Sequence, residues 1–316
     1  MKGKLLFLCT DYYGLYKIFE EGFKKYSGCE VQTVLYKRYQ YEKKSEKLLN
    51  FFSKNILRSD IKKVKASQRI TAQLDAHYDH VFMICPDELL PKYLGEVTKR
   101  TENSAVYYWD GFDNFPKTIP TIKYFKRAFT FDPVDAKDYN INFITNFYFY
   151  EDRQKEYDYD LFFLATYDVR FPLIKKIAKA LQEKGKKTDI RLYSPKKVEL
   201  QEPLPNGITF IENPIPFDVT QEYMKKSRLI LDIHKDIHRG LSFRIFEAMG
   251  LGKKLITTNP DVVNYDFYNP NNIFVWTDET EFLPADFLAT PYEELPDDIY
   301  KKYSQENWVK TVLNIS

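Results

Sequence analysis

The chain has 316 residues, 44% of them hydrophobic and 29% charged, with a formal net charge of +2. This composition supports a packed core and excludes a disordered chain, while the near-neutral balance excludes a general attraction to nucleic acid. The length suits one large domain or two of ordinary size. Three cysteines, Cys9, Cys29 and Cys85, make no even framework and no Cys-x-x-Cys pair, so the simplest reading is reduced thiols in a cytoplasmic protein.

From the N-terminus, KLLFLC reads as a first strand: its apolar run is too short for a signal peptide. An amphipathic stretch from Leu15 to Tyr26 follows, then the strand EVQTVLY. The runs HVFMIC, AVYYWD and RAFTFD are short and apolar, each ending near an acidic residue or Pro, as expected of buried parallel strands. The segment DELLPKYLGEVTKR between two of them reads as a helix. Around residue 152 the rhythm breaks and the chain becomes highly charged. Alternation then restarts with the strand DLFFLAT, a helix from Phe171 to Lys184, and the strands DIRLYS and ITFIE. A helix around Val219 to Lys226 and the strand RLILDIH come next. The chain continues with a helix in FRIFEAMGLG, the strands KLITTN and NIFVW, and a last helix in IYKKYSQENWVKTVL. No window approaches the ~20 apolar residues needed to span a bilayer. The pattern predicts an α/β protein of two doubly wound, Rossmann-like domains facing a cleft, residues 1–152 and 153–316.

Between Tyr36 and Arg69 eleven basic residues face three acidic ones, a net of +8. Leu48, Leu49, Phe51, Phe52, Ile56 and Leu57 lie among them. This is the pattern of a basic amphipathic helix resting on an anionic membrane. It is equally that of a solvated helix packing its apolar stripe on its own domain.

The richest stretch is HKDIHRGLSFRIFEAMGLGKKLITTN, His234 to Asn259. A strand ends, Gly240 suits a tight turn, Ser242 is a suitable N-cap, and a helix begins. That places a helix N-terminus at the C-terminal edge of a parallel sheet, where open α/β folds bind ligands and where backbone N–H groups suit phosphate. Arg244 in the first turn can add a forked contact to a diphosphate. Glu247, on the same face, can accept hydrogen bonds from the two hydroxyls of a ribose. The same spacing also fits a plain salt bridge along the helix.

These residues carry a resemblance. GLSFRIFEAMGLGKKLITTN resembles the nucleotide-sugar motif of GT-B-fold glycosyltransferases, particularly the bacterial enzymes of capsule, lipopolysaccharide O-antigen and exopolysaccharide biosynthesis. DLFFLATYDVR resembles the start of their second domain, FTFDPVDAKDY a segment near the end of their first, and YSQENWVKTVL their closing helix. The resemblance covers about half the chain, mostly residues 160–316. It implies a GT-B fold with a nucleotide-sugar-binding second domain, an acceptor-binding first domain, and a C-terminal helix, about 297–316, returning to the first domain. It implies Glu247 on the nucleotide ribose, Arg244 as a basic contact, and Thr166 and Arg170 near the diphosphate. A Glu-x(7)-Glu pair ending at Glu247 would begin at position 239, which is Arg239, so a retaining mechanism of that type is not implied. The Gly-rich loop common after the first strand is also missing: CTDYYGLY has only Gly14.

The implied reaction moves a sugar from a nucleoside-diphosphate sugar to a surface-glycan or lipid-linked oligosaccharide acceptor, without a cofactor or essential metal. The protein must then stabilise the departing diphosphate with basic groups and a helix dipole. No His/Cys cluster is present. His234 and His238 lack a visible third ligand for zinc and fit better as donors beside Lys235, Arg239 and Gly240. An inverting reaction needs a base; Asp11 and Asp110, each at the end of a first-domain strand, occupy the right position. Each has a plainer reading, Asp11 as a helix cap and Asp110 as part of the DGFDN turn. Tyr12, Tyr13 and Trp109 can stack on a sugar or simply pack. The other readings are a nucleotide-sugar epimerase and a non-catalytic scaffold that binds nucleotide sugars or glycans. A nicotinamide dehydrogenase is disfavoured, because no Gly-x-Gly-x-x-Gly follows a strand. The protein would work in the cytoplasm, at the inner face of the membrane if residues 36–69 dock there.

Overall fold

The computed structural model describes residues 3–36, 39–40, 46, 50–51, 53, 60–151, 156–199, 202–234 and 239–316. The chain forms two compact units. One comprises Met1–Ile144 with Trp308–Ser316, the other Thr145–Asn307. The division thus falls at 144/145, where the sequence reading has 152/153. The last nine residues count with the first unit.

In the first unit, six parallel strands run in the order β2-β1-β3-β4-β5-β6. They are β1 (Lys4–Cys9), β2 (Glu30–Leu35), β3 (His80–Ile84), β4 (Ser104–Tyr108), β5 (Arg127–Thr130) and β6 (Asn142–Phe143). Leu5 through Cys9 are all fully buried, which is why this strand reads as an unbroken apolar run and not as an alternation. Alternate side chains serve opposite faces. Leu6 and Leu8 pack with Val81, Met83, Val106 and Tyr108. Phe7 points the other way, with its ring 5.1 Å from Phe23 of the helix Tyr16–Tyr26. Trp308 joins this face, 5.5 Å from Phe19 and 5.6 Å from Phe82.

The second unit also has six parallel strands, ordered β12-β11-β10-β7-β8-β9. They are β7 (Tyr159–Thr166), β8 (Thr188–Tyr193), β9 (Ile208–Ile211), β10 (Ser227–Asp232), β11 (Lys254–Thr257) and β12 (Ile273–Val275). Leu161, Phe163, Leu229 and Leu231 face the helix Phe171–Glu183 through its Ile174, Ile177 and Leu181. Phe162, Ile230 and Leu255 face the helix Phe243–Gly250 through Ile245, Phe246 and Met249. The α/β architecture read from the sequence is therefore present in both halves.

Two boundaries differ from expectation. DELLPKYLGEVTKR is helical only as Pro91–Thr98, after a 3-10 turn at Pro86–Glu88, because Pro91 can open a helix but not sit inside one. The C-terminal segment is two helices, Asp297–Lys302 and Gln305–Leu313. Between them, the backbone of Tyr148 exchanges hydrogen bonds with Tyr303 and Gln305, both 3.0 Å.

Candidate ligand site at the sheet edges

In each sheet the strand order reverses beside its first strand: between β1 and β3, and between β7 and β10. The chain leaves such neighbouring strands in opposite directions, so their C-terminal ends open a crevice suited to a ligand. In the second unit the residues at this place are Thr166 at the end of β7, Asp232 to His234 at the end of β10, and the turn into the helix Phe243–Gly250. Thr166 and Arg239 are exposed, His234 and Arg244 half-buried, Gly240 buried.

The strand ends are tied by a buried polar network that sequence reasoning missed. Asp232 is 2% exposed. Its carboxylate accepts hydrogen bonds from Ser242 Oγ at 2.7 Å and Thr257 Oγ1 at 2.9 Å. Ser242 stands at the N-cap position, as expected, but its hydroxyl goes to Asp232 and makes no side-chain cap. The hydroxyl donates its proton to a carboxylate whose burial makes its satisfaction obligatory, and that orients Oγ towards Asp232. Buried Asn259 lies within 3.3 Å of His234 Nδ1 and 3.4 Å of the Gly240 carbonyl. The His234 backbone N–H donates to Thr258 Oγ1 at 2.8 Å. The only hint in the sequence was the polar run Thr257–Asn259 directly after an apolar strand. Gly240 is not among the residues with positive φ, so its turn does not demand glycine for conformational reasons.

Arg170 is held rather than free. It clasps Asp168 in a two-pronged contact, Nε to Oδ1 at 2.9 Å and Nη2 to Oδ2 at 2.8 Å. Its Nη1 donates to the Ile233 carbonyl at 2.9 Å, which ties the loop after β7 to the end of β10. Arg244 Nη2 donates to the Leu164 carbonyl at 2.6 Å, and its guanidinium lies 5.2 Å from the Phe163 ring centre. Both arginines are thus anchored to backbone carbonyls at the β7–β10 junction, Arg244 bringing positive charge there while that of Arg170 is met by Asp168.

Glu247 is only 5% exposed. Gln221, on the neighbouring helix Phe217–Lys225, donates Nε2 to its Oε1 at 2.5 Å. Burial pushes the Glu247 carboxyl up to about 7; Arg244 and the Gln221 hydrogen bond pull it down, and Asp232 pushes it further up. The pairing with Gln221 was not legible, because α-helical periodicity cannot say which neighbouring helix a carboxylate meets. His238 lies outside the described residues, so the His234–His238 pair and Lys235 receive no structural account.

In the first unit Asp11 and Asp110 follow β1 and β4 at the same sheet edge. Asp11 is exposed and accepts a hydrogen bond from the Gly14 N–H at 2.9 Å, which is the plainer turn-forming role. Asp110 is half-buried; burial pushes the neighbouring Cys85 thiol up, and the Asp110 charge adds to that. The Tyr12 and Trp109 rings lie 6.2 Å apart, and Tyr12 and Tyr13 are 59% and 47% exposed, so the two strand ends share an aromatic surface. Half of the basic 36–69 region lies outside the described residues. Within it, Lys63 donates to the Asp87 carbonyl and Lys65 pairs with Glu46 at 2.5 Å. Among the described residues no helix is long and apolar enough to cross a membrane, and no group of three or more His, Cys, Asp or Glu stands ready for a metal ion.

No protein-family model matches the chain, and no curated protein matches it by sequence. Solved structures do. The chain is similar to an α,α-trehalose-phosphate synthase (UDP-forming) from Burkholderia vietnamiensis, with TM-score 0.52 and 8% identity, over 97% of this chain and 95% of that one. It is also similar to a DNA-modifying β-glucosyltransferase (TM-score 0.49, 11% identity, 99% and 100% covered). A third similar structure is the glycosyltransferase SnogD from Streptomyces nogalater (TM-score 0.47, 12% identity, 99% and 96% covered). The likeness to the synthase is one of fold, and it extends over nearly the whole of both chains.

Proposed function

We propose that the chain is a glycosyltransferase that takes a nucleoside-diphosphate sugar as donor. The observation that supports this reading is the junction of β7 and β10, where Arg170 and Arg244 donate to the Ile233 and Leu164 carbonyls and Ser242 opens a helix; Thr166, Arg170, His234, Arg239, Ser242 and Arg244 are our candidates for its donor contacts. Such a site favours a diphosphate twice over, through backbone dipoles and through arginine charge. A developing diphosphate leaving group gains most from charge already fixed in place, and both arginines are pinned by carbonyls. The fold shared with a UDP-forming synthase supports a nucleotide donor. Glu247 belongs to the same helix and is our candidate for the ribose hydroxyls, reached by displacement of Gln221.

In this reading transfer is metal-independent and the acceptor is a surface glycan or lipid-linked oligosaccharide, as the polysaccharide-type motif implies. Asp11 or Asp110 is the base, and the Tyr12–Trp109 surface receives the acceptor sugar. A nucleotide-binding scaffold without transfer is favoured by one observation, the Asp11 carboxylate already committed to Gly14. Melting curves with UDP, GDP, CDP, CMP, ADP and TDP test the donor site. A ligand at 100 times its Kd stabilises by about 2.7 kcal/mol. One diphosphate should raise Tm for the wild type and not for Arg244→Ala or Glu247→Ala, each compared with its own ligand-free Tm. No shift with any nucleotide sinks the donor site. Slow hydrolysis of the matching nucleotide sugar, lost in Asp11→Asn or Asp110→Asn, separates enzyme from scaffold.

A further inference from the structure

A second cationic feature sits at the opposite edge of the second sheet. A cavity of about 190 Å³ is lined by Tyr157, Asp160, Lys186, Arg228, Lys254 and Thr290, among others. All but Thr290, which follows the helix Ala285–Ala289, lie within two residues of the starts of β7, β8, β10 and β11. Thr166 and Asp232 are the last residues of β7 and β10, and Ser242 follows β10, at the other end of the sheet. The cavity is thus separate from the candidate donor site.

Three cations and one carboxylate line it. Asp160 pairs with two of them without a hydrogen bond: Lys186 and Arg228 each lie 3.8 Å from its Oδ1. Its Oδ2 accepts instead from the Lys187 backbone N–H at 2.9 Å. At 3.8 Å neither cation makes a hydrogen bond, and among the described residues their side chains make none elsewhere. Lys254 is 5% exposed, and every hydrogen bond of its ammonium goes to a neutral acceptor. These are the Phe287 carbonyl at 2.8 Å, Thr290 Oγ1 at 2.7 Å and Asn271 Oδ1 at 3.4 Å. A buried charge without a counter-charge is costly. Burial and Arg228 accordingly push the Lys254 ammonium down from its ordinary value, with Glu293 opposing.

We propose that this cavity is an anion site for a tetrahedral oxyanion, a phosphate either free or as a small monoester. Arg228 and Lys186 supply the hydrogen bonds, since their N–H groups make none among the described residues and share Asp160 as counter-charge, and Lys254 supplies charge from behind. The volume decides the size of the ligand. Pockets for drug-sized molecules run from roughly 300 to 1,000 Å³, so a nucleotide does not fit and a phosphate does. The guanidinium fork of Arg228 matches the spacing of two phosphate oxygens.

Calorimetric titration with sodium phosphate and with glycerol 3-phosphate, at ionic strength matched with chloride, tests the site. The wild type should bind at least one of them. Affinity should fall at least tenfold in Arg228→Gln and in Lys186→Gln, whose folding is checked by circular dichroism, and stay unchanged in Arg244→Ala. A monoester that binds more tightly than phosphate identifies a phosphorylated ligand; equal affinity identifies free phosphate. The proposal is overturned by no heat beyond that of chloride, by undiminished affinity in Arg228→Gln, or by loss in Arg244→Ala. The last result would move the anion to the donor site. Nucleotide binding, present or absent, leaves these outcomes unaffected.

Discussion

Glu247 shows how much a residue's chemistry depends on what surrounds it. As a letter in a helix it offers a charged carboxylate to solvent. In the fold, burial raises it from an ordinary 4.5 to about 7. The native state therefore holds a proton that the unfolded chain releases as pH rises from about 4.5 to 7. The stability contributed by that proton is complete below the ordinary value and is lost as pH rises through about 7. Glu247→Gln keeps the shape and stays neutral at every pH. Relative to the wild type, the variant should gain on the order of 3 kcal/mol between pH 4.5 and about pH 8. Denaturant midpoints of both proteins across that range check it, and parallel pH curves would contradict it. The residue type and its helical spacing were readable; the raised carboxyl was not, because burial under Gln221 comes from a helix more than twenty positions away.

At the scale of elements, Gly250 explains how the helix Phe243–Gly250 sits. A Cβ built there would lie 2.5 Å from the Tyr150 carbonyl oxygen and 2.7 Å from Tyr148 Cβ. The glycine lets the segment at 148–150 cross the end of the helix at backbone distance. Tyr300, stacked on Tyr148 at 4.4 Å, donates its hydroxyl to the Gly250 carbonyl at 3.2 Å. Gly250→Ala should therefore cost about 1–3 kcal/mol through overpacking, although alanine is the better helix former. A stability unchanged or raised in urea would show that the 148–150 segment yields. The fold gives the two glycines of the run Gly250–Gly252 different tasks. Gly252, with φ of 59°, takes the left-handed turn after the helix, while Gly250 is the contact point.

At the scale of the whole molecule, the last residues matter more than their position suggests. Trp308 is 3% exposed, and its ring packs against Phe19, Phe23, Phe82 and Tyr107 at 5.3 to 6.4 Å. The chain thus leaves the first unit at residue 144 and completes that unit's core with residues from 308 onward. Trp308→Ala should cost about 3–5 kcal/mol, measured as a loss of stability against urea. A cost below 1 kcal/mol would mean that these rings close over the gap. What the sequence by itself determined was the periodic part: apolar runs without alternation fix buried parallel strands, and their spacing fixes two α/β halves. It also placed Arg244 at a helix start and Thr166 at a strand end, since those ends are local events. Only the tertiary structure decided which ends meet. The clasp of Arg170 on Ile233, the Asp232–Ser242–Thr257 network, the pairing of Gln221 with Glu247 and the cavity around Arg228 all join residues distant in the chain. Such contacts are set by sheet order and by the demand that buried polar groups find partners, and neither leaves a period in the sequence.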